Sequence, residues 1–528
     1  MSSAAGWRRS TWSRLAPRLR SAPLATWLIL SAVALAGVAH IALLPPWEGY
    51  DEFAHYSYVQ QIADTGTIPL LNRDRISTTV DEYNGPFPYG NGDPPFDVTG
   101  KETYRGFRAH RAPKLTAGEL QYRPATRPNW EAQHPPLFYA LLAPLYTLTK
   151  HLDFTLHLFI LRLAAWTIAF AGLAVGVTGT LRLVEGNARN TRPILAAFPF
   201  LVPEFFPEMA RLGSDSLCLP LMSAVWLLCL RLTGDKARTA DAVFLGTTLG
   251  LGLLTKAFFI PIAAGACAAI AVCGRGSRPR QLLLVGLLAF VFGGWWYVRN
   301  LLLLGSITGS ADFTNATAAV VWNGLWSNVS ILGLLEGLGR LVFTFAWAGT
   351  WSLARLPEAL IAVPVLLVAL TCGAWLAQLK SLPSNARLPL FLLGPFVLGL
   401  LTHMIVWLAM TRTTVTPGWY LHIAAVPIAF AMALGWKWPR LLNVLATLSV
   451  LVGIVAWILQ LSLFSGCATK AADKYYSFTG ADCFIDFSIL NVLAFPGVAA
   501  VALALALLFA IAALVVLRRD RPLCAARA

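Results

Sequence analysis

Two adjacent carboxylates, Asp51 and Glu52, follow directly on an apolar run, Leu24 to Leu44, that is long enough to cross a bilayer. Carboxylates this close to a membrane are unfavourable unless they have a partner or a task. Such a group can act as a general base that takes a proton from an incoming hydroxyl. The alternative is an acidic pair at a helix N-terminus, which the helix dipole favours. We interpret the pair as the catalytic edge of a membrane enzyme.

The stretch around this pair, Pro45 to Gly66, reads PPWEGYDEFAHYSYVQQIADTG. If it continues as a helix, His55 shares a face with Asp51 at i, i+4 spacing, which makes it a candidate for substrate binding, and Gly66 can end the helix. The stretch therefore predicts an aromatic-rich helix beside the membrane, with the carboxylates at its start.

His134 is a second candidate, because it precedes two prolines that suit the start of a short helix, Pro136 to Leu148. Its ring could hydrogen-bond a substrate phosphate or sugar. An interfacial histidine at a helix start is an equal alternative.

Several cations lie near the ends of apolar runs. Lys256 stands between two such runs without a sequence neighbour of opposite charge, so it either meets a lipid phosphate or snorkels to the interface. Arg299 ends the aromatic run WWYVR and is either a phosphate clamp or a flanking charge. Arg211 and Asp215 share a tight turn, where they bind substrate or pair with each other.

A later segment, RTTVTPGWYLH, adds three polar candidates for substrate binding: Arg412, Tyr420 and His422. Each of these signals is weak alone. Together with the carboxylates they predict one site for an anionic substrate, on the outer side of the membrane.

The composition sets the class of protein that must position these residues. Of 528 residues, 57% are hydrophobic and 13% are charged, and the apolar residues recur in runs of about 20. The net charge is +15, but the basic residues cluster in short loops between apolar runs, which is a topology signal. We therefore expect an all-α polytopic membrane protein with no nucleic-acid partner.

With every basic loop placed in the cytoplasm, the apolar runs form twelve spans and both termini are cytoplasmic. The short run Pro136 to Leu148 is left out and predicted to lie at the outer interface. The twelve predicted spans are 24–44, 156–181, 193–210, 216–231, 241–256, 258–274, 281–298, 358–379, 388–410, 419–436, 441–464 and 492–517.

This topology divides the chain into a basic cytoplasmic tail, a catalytic membrane module, an outer loop, a second membrane module and a C-terminal tail. The catalytic module contains a large first outer loop with short juxtamembrane helices and an irregular centre, Asn84 to Gly100. The predicted boundaries are 1–23, 24–298 with outer loop 45–153, 299–357, 358–517 with outer loop 464–491, and 518–528.

Cys467 and Cys483 fall in one outer loop, where they either close a disulfide or remain two thiols. No cysteine or histidine spacing resembles a zinc site. The carboxylates could hold a divalent cation, but no ligand spacing demands one, so no cofactor is predicted with certainty.

The motifs together resemble the GT-C superfamily of integral-membrane glycosyltransferases, which includes protein O-mannosyltransferases and bacterial lipid A aminoarabinose transferases. The matching pieces lie in the chain up to Asn300, and the likeness beyond them is mainly one of topology. These pieces are Asp51-Glu52 after the first span, HPPL at 134–137, Ser214-Asp215, Thr255-Lys256 and WYVRN at 296–300.

The resemblance implies a GT-C fold in the inner membrane of a bacterium and a polyprenyl-phosphate-linked sugar as donor. Asp51 would deprotonate an acceptor hydroxyl on a glycan, lipid or protein, with Glu52 supporting it, and the sugar would be transferred with inversion. Lys256, Arg299 and then Arg211 would stabilise the departing lipid phosphate.

Two other functions stay open from the sequence. A polysaccharide polymerase or ligase would also use a lipid-linked donor on the outer side, with Arg412 and His422 in the leading roles. A lipid or glycan transporter needs ionisable residues at mid-span. Most ionisable residues here fall at span ends, with Arg162, Arg340 and His403 as exceptions, so transport is the weaker alternative.

Overall fold

The computed structural model describes residues 23–83, 121–184, 192–235, 237–309, 318–351, 354–464, 468–470, 476–478 and 495–520. Within these ranges the chain is almost entirely helical, and the strands form only two short antiparallel pairs. Strand Arg75–Ser77 pairs with Pro124–Pro128, and Ala468–Lys470 pairs with Tyr476–Phe478.

Eight helices of the described chain are long and apolar enough to cross a membrane, which confirms the prediction of an all-α protein with many spans. Each begins and ends within a few residues of a predicted span. The eight helices are Leu24–Leu43, Phe154–Leu183, Asp215–Leu232, Arg278–Leu304, Glu358–Leu376, Ser384–Thr411, Pro439–Phe464 and Pro496–Arg519.

The four other predicted spans have shorter or broken helices. Spans 241–256 and 258–274 contain the helices Thr239–Leu253 and Phe259–Cys273. Span 419–436 begins as a 3-10 helix, Gly418–Ala424, and continues as Ala425–Leu434. Span 193–210 is divided into Arg192–Leu201 and Phe205–Met209, because Pro203 lacks a backbone N–H and disfavours helix at the residue before it.

The segment predicted as an outer loop, 299–357, contains two further helices, Ala318–Ser327 and Ile331–Ala346. Their axes differ by 104° across a short break. Ser330 begins the second helix, since its hydroxyl accepts a hydrogen bond from the Gly333 N–H at 3.0 Å. The predicted short helix near Pro136 is present as Leu137–Thr149.

Asp215 and Lys256, which stand at or just before the starts of the helices Asp215–Leu232 and Phe259–Cys273, lie together at one end of the bundle. At the opposite end, the N–H of Arg275 donates to the carbonyl of Leu232, which joins two basic loops. At the candidate end, the Tyr297 hydroxyl donates to the carbonyl of Leu253 at 3.0 Å. The end that holds Asp215 and Lys256 is therefore remote from the basic loops, as the topology requires.

Candidate functional site

Asp51 stands at the start of the helix Glu52–Thr65 with a left-handed backbone, φ 55°. Its side chain makes no hydrogen bond to the helix N-terminus. Instead, its Oδ1 accepts a hydrogen bond from the indole N–H of Trp130 at 2.9 Å. Because that carboxylate does not cap the helix, and is only partly buried, it remains available to a ligand.

The pKa of Asp51 is raised above its ordinary value. Burial is the main cause, and the positive charge of Arg211 and the hydrogen bond from Trp130 partly oppose it. A raised pKa makes this carboxylate a stronger base than a solvent-exposed aspartate. The predicted end of the helix is also present, since Gly66 adopts φ 66° and its N–H donates to the Ile62 carbonyl at 2.9 Å.

Glu52 is completely buried and is engaged within the protein. Arg162 donates to Oε1 from Nε at 2.7 Å and also pairs with Oε2. Backbone N–H groups of Trp47 and Leu212 donate to the same carboxylate, each at 3.1 Å. Glu52 therefore fixes the chain that carries Asp51 and presents no free oxygen to a substrate.

A polar cluster lies next to this helix, around the buried carboxylate of Glu131. Its Oε2 lies 3.3 Å from His55 Nδ1 and 3.2 Å from His134 Nε2. The hydroxyl of Tyr139 lies 2.9 Å from the same His55 nitrogen, and the Tyr58 hydroxyl donates to the His134 carbonyl at 3.0 Å. The structure thus joins the two predicted histidines through a glutamate.

Burial governs protonation in this cluster. It lowers the pKa of His134 to about 3, and the charge of Lys256 acts in the same direction. Burial likewise lowers the pKa of His55 well below the ordinary value. The pKa of Glu131 is raised well above its usual range, by burial first and then by the negative charge of Asp51. At neutral pH both imidazoles are therefore neutral hydrogen-bonding groups.

Lys256 and Asp215 form a buried ion pair, with Nζ 2.9 Å from Oδ1 and 2.7 Å from Oδ2. The Nη2 of Arg211 lies 3.2 Å from the same carboxylate and 2.7 Å from Glu208. Arg211 also donates to the Tyr50 carbonyl at 2.8 Å. Arg211 and Asp215 thus pair with each other, which is one of the two alternatives that the sequence left open. Carboxylates within the protein neutralise both Arg211 and Lys256.

Among the described residues of this region, acidic side chains outnumber basic ones. Each of its three buried cations is bonded to at least one carboxylate. The basic members are Arg162, Arg211 and Lys256, and the acidic members are Glu48, Asp51, Glu52, Glu131, Glu204, Glu208 and Asp215.

Arg299 differs from these cations because it is half-exposed and has no carboxylate within 4 Å among the described residues. Its guanidinium lies 4.4 Å from the ring centre of Trp296, and Nη1 donates to the Asn300 side chain at 3.2 Å. The charge of Arg299 also acts on the buried phenol of Tyr58, which adjoins the histidine cluster. Arg299 can therefore accept an external anion.

The three later candidates have different positions. The Tyr420 ring centre lies 4.8 Å from Lys256 Nζ, so Tyr420 belongs to the site. His422 is completely buried, with Nε2 2.9 Å from the Phe345 carbonyl. The exposed Arg412 donates to the Asn328 side chain at 2.8 Å, beside the bent helix pair. Among the described residues, neither Arg412 nor His422 contacts the carboxylates of the site.

Sequence reasoning did not select four residues that shape the site: Glu131, Trp130, Arg162 and Trp351. Glu131 and Trp130 precede His134 in the chain, so their proximity to a selected residue was a usable signal. Arg162 was noted only as an ionisable residue inside a span, which itself indicates a buried partner. Trp351 lies 300 positions from Asp51 in the chain, and no sequence pattern connects them.

Two predictions fall outside the described residues, namely the pairing of Cys467 with Cys483 and the irregular segment Asn84 to Gly100. The five cysteines within the described ranges are free: Cys218, Cys229, Cys267, Cys273 and Cys372. In the same ranges, no group of three or more His, Cys, Asp or Glu side chains is arranged to hold a metal ion.

The fold and the site define a multi-pass membrane protein with a partly buried carboxylate, Asp51, that follows its first span and is bonded to Trp130. Among solved structures, the chain is similar to ArnT from Cupriavidus metallidurans bound to undecaprenyl phosphate, with 14% identity and a TM-score of 0.45 over 94% of this chain and 78% of that one. The structure of ArnT from the same organism in the apo state is similar with 13% identity and a TM-score of 0.43, over 92% of this chain and 76% of that one.

No protein-family model matches the chain, and no curated protein matches it by sequence. With TM-scores below 0.5, the function has to be argued from the chemistry of the site.

Proposed function

We propose that this protein is a glycosyltransferase that moves a sugar from a polyprenyl-phosphate-linked donor to an acceptor hydroxyl. The observation that carries the proposal is the state of the Asp51 carboxylate. It directly follows the first span, is held by Trp130 rather than by its own helix, and has a raised pKa. These are the properties of a general base at a membrane edge.

In the proposed reaction, Asp51 takes the proton of the acceptor hydroxyl. At the same time, the oxygen of that hydroxyl attacks the anomeric carbon of the donor sugar. The bond from that carbon to the phosphate oxygen breaks, and the lipid phosphate leaves with the bonding electrons. Attack from the face opposite the leaving phosphate inverts the anomeric configuration. The proton on Asp51 is then released to solvent, which restores the carboxylate.

The departing phosphate gains negative charge, so a fixed cation near it stabilises the transition state more than the ground state. Arg299 is the strongest candidate, because it is half-exposed and has no carboxylate partner among the described residues. Lys256 and Arg211 are bonded to Asp215 and Glu208. We propose that these two hold the site together and bias its potential without direct contact to the phosphate.

Glu52 takes the role of a positioning residue in this scheme. Its bonds to Arg162 and to two backbone N–H groups fix the turn on which Asp51 stands. Arg162 also donates to the carbonyl groups of Leu44 and Pro45, so one guanidinium ties the end of the first span to the catalytic turn. Of the predicted substrate-binding residues, His55, His134 and Tyr420 adjoin this region.

The proposed setting is the inner membrane of a bacterium, with the site on the outer side. The remoteness of Asp215 and Lys256 from the basic loops supports this orientation, because basic loops favour the cytoplasm. The polymerase or ligase alternative would depend on Arg412, whose described side-chain partner is Asn328.

The test uses a deletion strain complemented with the wild-type gene, Asp51→Asn or Arg412→Ala, each at matched protein level in the membrane. Mass spectrometry measures the envelope glycans and the lipid-linked sugars. We expect the deletion and Asp51→Asn to lose one glycan modification and to accumulate its lipid-linked donor, with Arg412→Ala resembling the wild type. Normal product with Asp51→Asn, and loss with Arg412→Ala, would favour the polymerase or ligase instead.

A further inference from the structure

Three partly buried aromatic side chains lie next to one another beside the Asp51 carboxylate: Trp130, Phe53 and Trp351. The Phe53 ring packs edge-on against Trp130, with centroids 5.2 Å apart. The Phe53 ring also lies nearly parallel to the ring of Trp351, with centroids 6.5 Å apart and an interplanar angle of 25°. Trp130 is also the residue whose indole N–H is bonded to Asp51. We call these three rings the aromatic strip.

The segment Trp347 to Trp351 is fastened so that it completes this strip. The N–H groups of Ala348 and Gly349 donate to the buried carboxylate of Glu204, at 2.8 and 2.9 Å. The Thr350 hydroxyl donates to the Glu48 carboxylate, and the Trp351 N–H donates to the Glu48 carbonyl, both at 2.9 Å. Gly349 has φ +84°, a conformation that other residues rarely adopt.

These fastenings distinguish the strip from an ordinary belt of interfacial aromatics. Belt residues face lipid and need no precise attachment to polar groups. Here, two fully buried carboxylates are used to hold the loop of Trp351 against the turn of Asp51. The Tyr50 ring also contacts this loop: it lies 5.5 Å from the Trp351 ring, and its hydroxyl donates to the Ala348 carbonyl. These bonds hold the loop of Trp351 in one position beside the polar site.

We propose that the aromatic strip binds a pyranose ring of the acceptor, and that the acceptor is therefore a glycan. The apolar C–H face of a sugar ring packs on an aromatic face, while its rim of hydroxyl groups remains free to meet polar groups. A ring seated on the strip beside Trp130 presents a hydroxyl to Asp51, which is the geometry that the base requires. This proposal rests on the proposed function and names the substrate class of the same site.

The experiment measures transfer by the full-length protein in membranes, with an envelope extract of the deletion strain titrated in as the acceptor. The variants are Trp351→Ala, Trp351→Phe and the control Trp438→Ala. Trp438 is exposed and follows the helix Ala425–Leu434 at the end remote from Lys256, so it offers the same substitution away from the strip. Mass spectrometry of the glycan product gives the half-saturating amount of extract and the maximal rate.

We expect Trp351→Ala to raise the half-saturating amount of acceptor extract about tenfold, as the loss of one aromatic contact predicts, with a maximal rate close to that of the wild type. Trp351→Phe retains a ring and should restore most of the affinity, while Trp438→Ala should change neither value. The half-saturating amount of donor should be unchanged in all three variants.

Two results would overturn this inference. One is an unchanged half-saturating amount in Trp351→Ala. The other is an equal loss of maximal rate in Trp351→Ala and Trp351→Phe without a change in acceptor saturation, which is the behaviour of a structural residue. If the wild-type protein transfers no sugar from a lipid-linked donor, the proposed function fails as well, and this separate outcome distinguishes the two failures.

Discussion

Replacing Lys256 by methionine tests whether this cation supports the fold or contacts the donor phosphate. Only 4% of Lys256 is exposed, and both oxygens of Asp215 accept hydrogen bonds from its Nζ. Methionine has a similar length and no charge, so Lys256→Met leaves the buried carboxylate with its longer contact to Arg211. In this variant the negative charge of Asp215 is buried with only one, more distant, positive partner.

Removing one partner of a buried ion pair destabilises a protein by about 3–5 kcal/mol. Because Arg211 still faces Asp215 at 3.2 Å, we expect a loss of about 3 kcal/mol, at the low end of that range. In a protein of this size such a loss lowers Tm by roughly 3 °C. The double variant Lys256→Met with Asp215→Leu removes both charges and should recover most of the loss.

The assay is thermal unfolding of the purified protein in detergent, together with the KM for the lipid-linked donor. Lys437→Met serves as the control, since Lys437 is exposed at the remote end of the bundle. We expect Lys256→Met to lower Tm with little change in donor KM, and the double variant to be more stable than the single one. An unchanged Tm with a donor KM raised about tenfold would refute this reasoning and make Lys256 a phosphate ligand.

The remaining predictions concern three other side chains around the site. Trp130→Phe removes a hydrogen bond that lowers the pKa of Asp51, so the acid limb of kcat/KM should move to higher pH, because the base acts when deprotonated; an unchanged limb or a shift to lower pH would contradict this assignment. Arg299→Gln should raise the donor KM about tenfold and leave Tm within about 1 °C of the wild type, since its side chain has no described carboxylate partner; unchanged donor saturation would exclude Arg299 from the phosphate site. Arg162→Met should destabilise the protein by about 3–5 kcal/mol, because it leaves the buried carboxylate of Glu52 without a positive partner. A Tm equal to that of the wild type would show that the ion pair does not stabilise the fold.

Two matched variants accompany these tests. Arg340→Gln is the control for Arg299→Gln, because Arg340 has an exposed guanidinium that pairs with the exposed Glu336 on its own helix. Trp438→Phe is the control for Trp130→Phe, because it makes the same substitution at the remote end of the bundle. Neither control should alter the pH profile or the donor KM.

The sequence was sufficient to predict those features of the fold that depend on residues close together in the chain. The long apolar runs identified the spans, since a bilayer sets their length. The helix after the first span was predictable because Gly66 ends it through a left-handed conformation that glycine adopts without strain. The position of Asp51 followed from the end of the first span. These features depend on residues that are neighbours in the chain.

The partners of the site depend on contacts between distant segments and could not be predicted in this way. The sequence suggested that Glu52 supports catalysis as a second carboxylate. In the structure Glu52 forms an ion pair with Arg162, which lies 110 positions away in the chain. Lys256 had no partner nearby in the sequence, yet Asp215, 41 positions away, is its partner in the structure. Pairing across helices determines which charges are neutralised, and among the sequence-predicted phosphate ligands it left Arg299 without a carboxylate partner in the described part of the chain.

The bent helices Ala318–Ser327 and Ile331–Ala346 were also missed, because neither is long enough to be recognised as a straight span. Their apolar residues recur with helical spacing, which was the usable signal. The segment that follows the second helix carries Trp351, so this omission also concealed the third ring of the aromatic strip. A search for shorter amphipathic helices in the outer loops would have found both elements.

The central claim is that Asp51 acts as the general base of sugar transfer, and the most direct test is the rate of transfer by purified Asp51→Asn. Asparagine preserves the size of the side chain and a hydrogen-bond acceptor for Trp130, but it cannot take a proton at neutral pH. At saturating donor and acceptor, we predict that kcat falls by about 10²–10⁴-fold with unchanged Tm. A kcat within about twofold of the wild type would contradict the account.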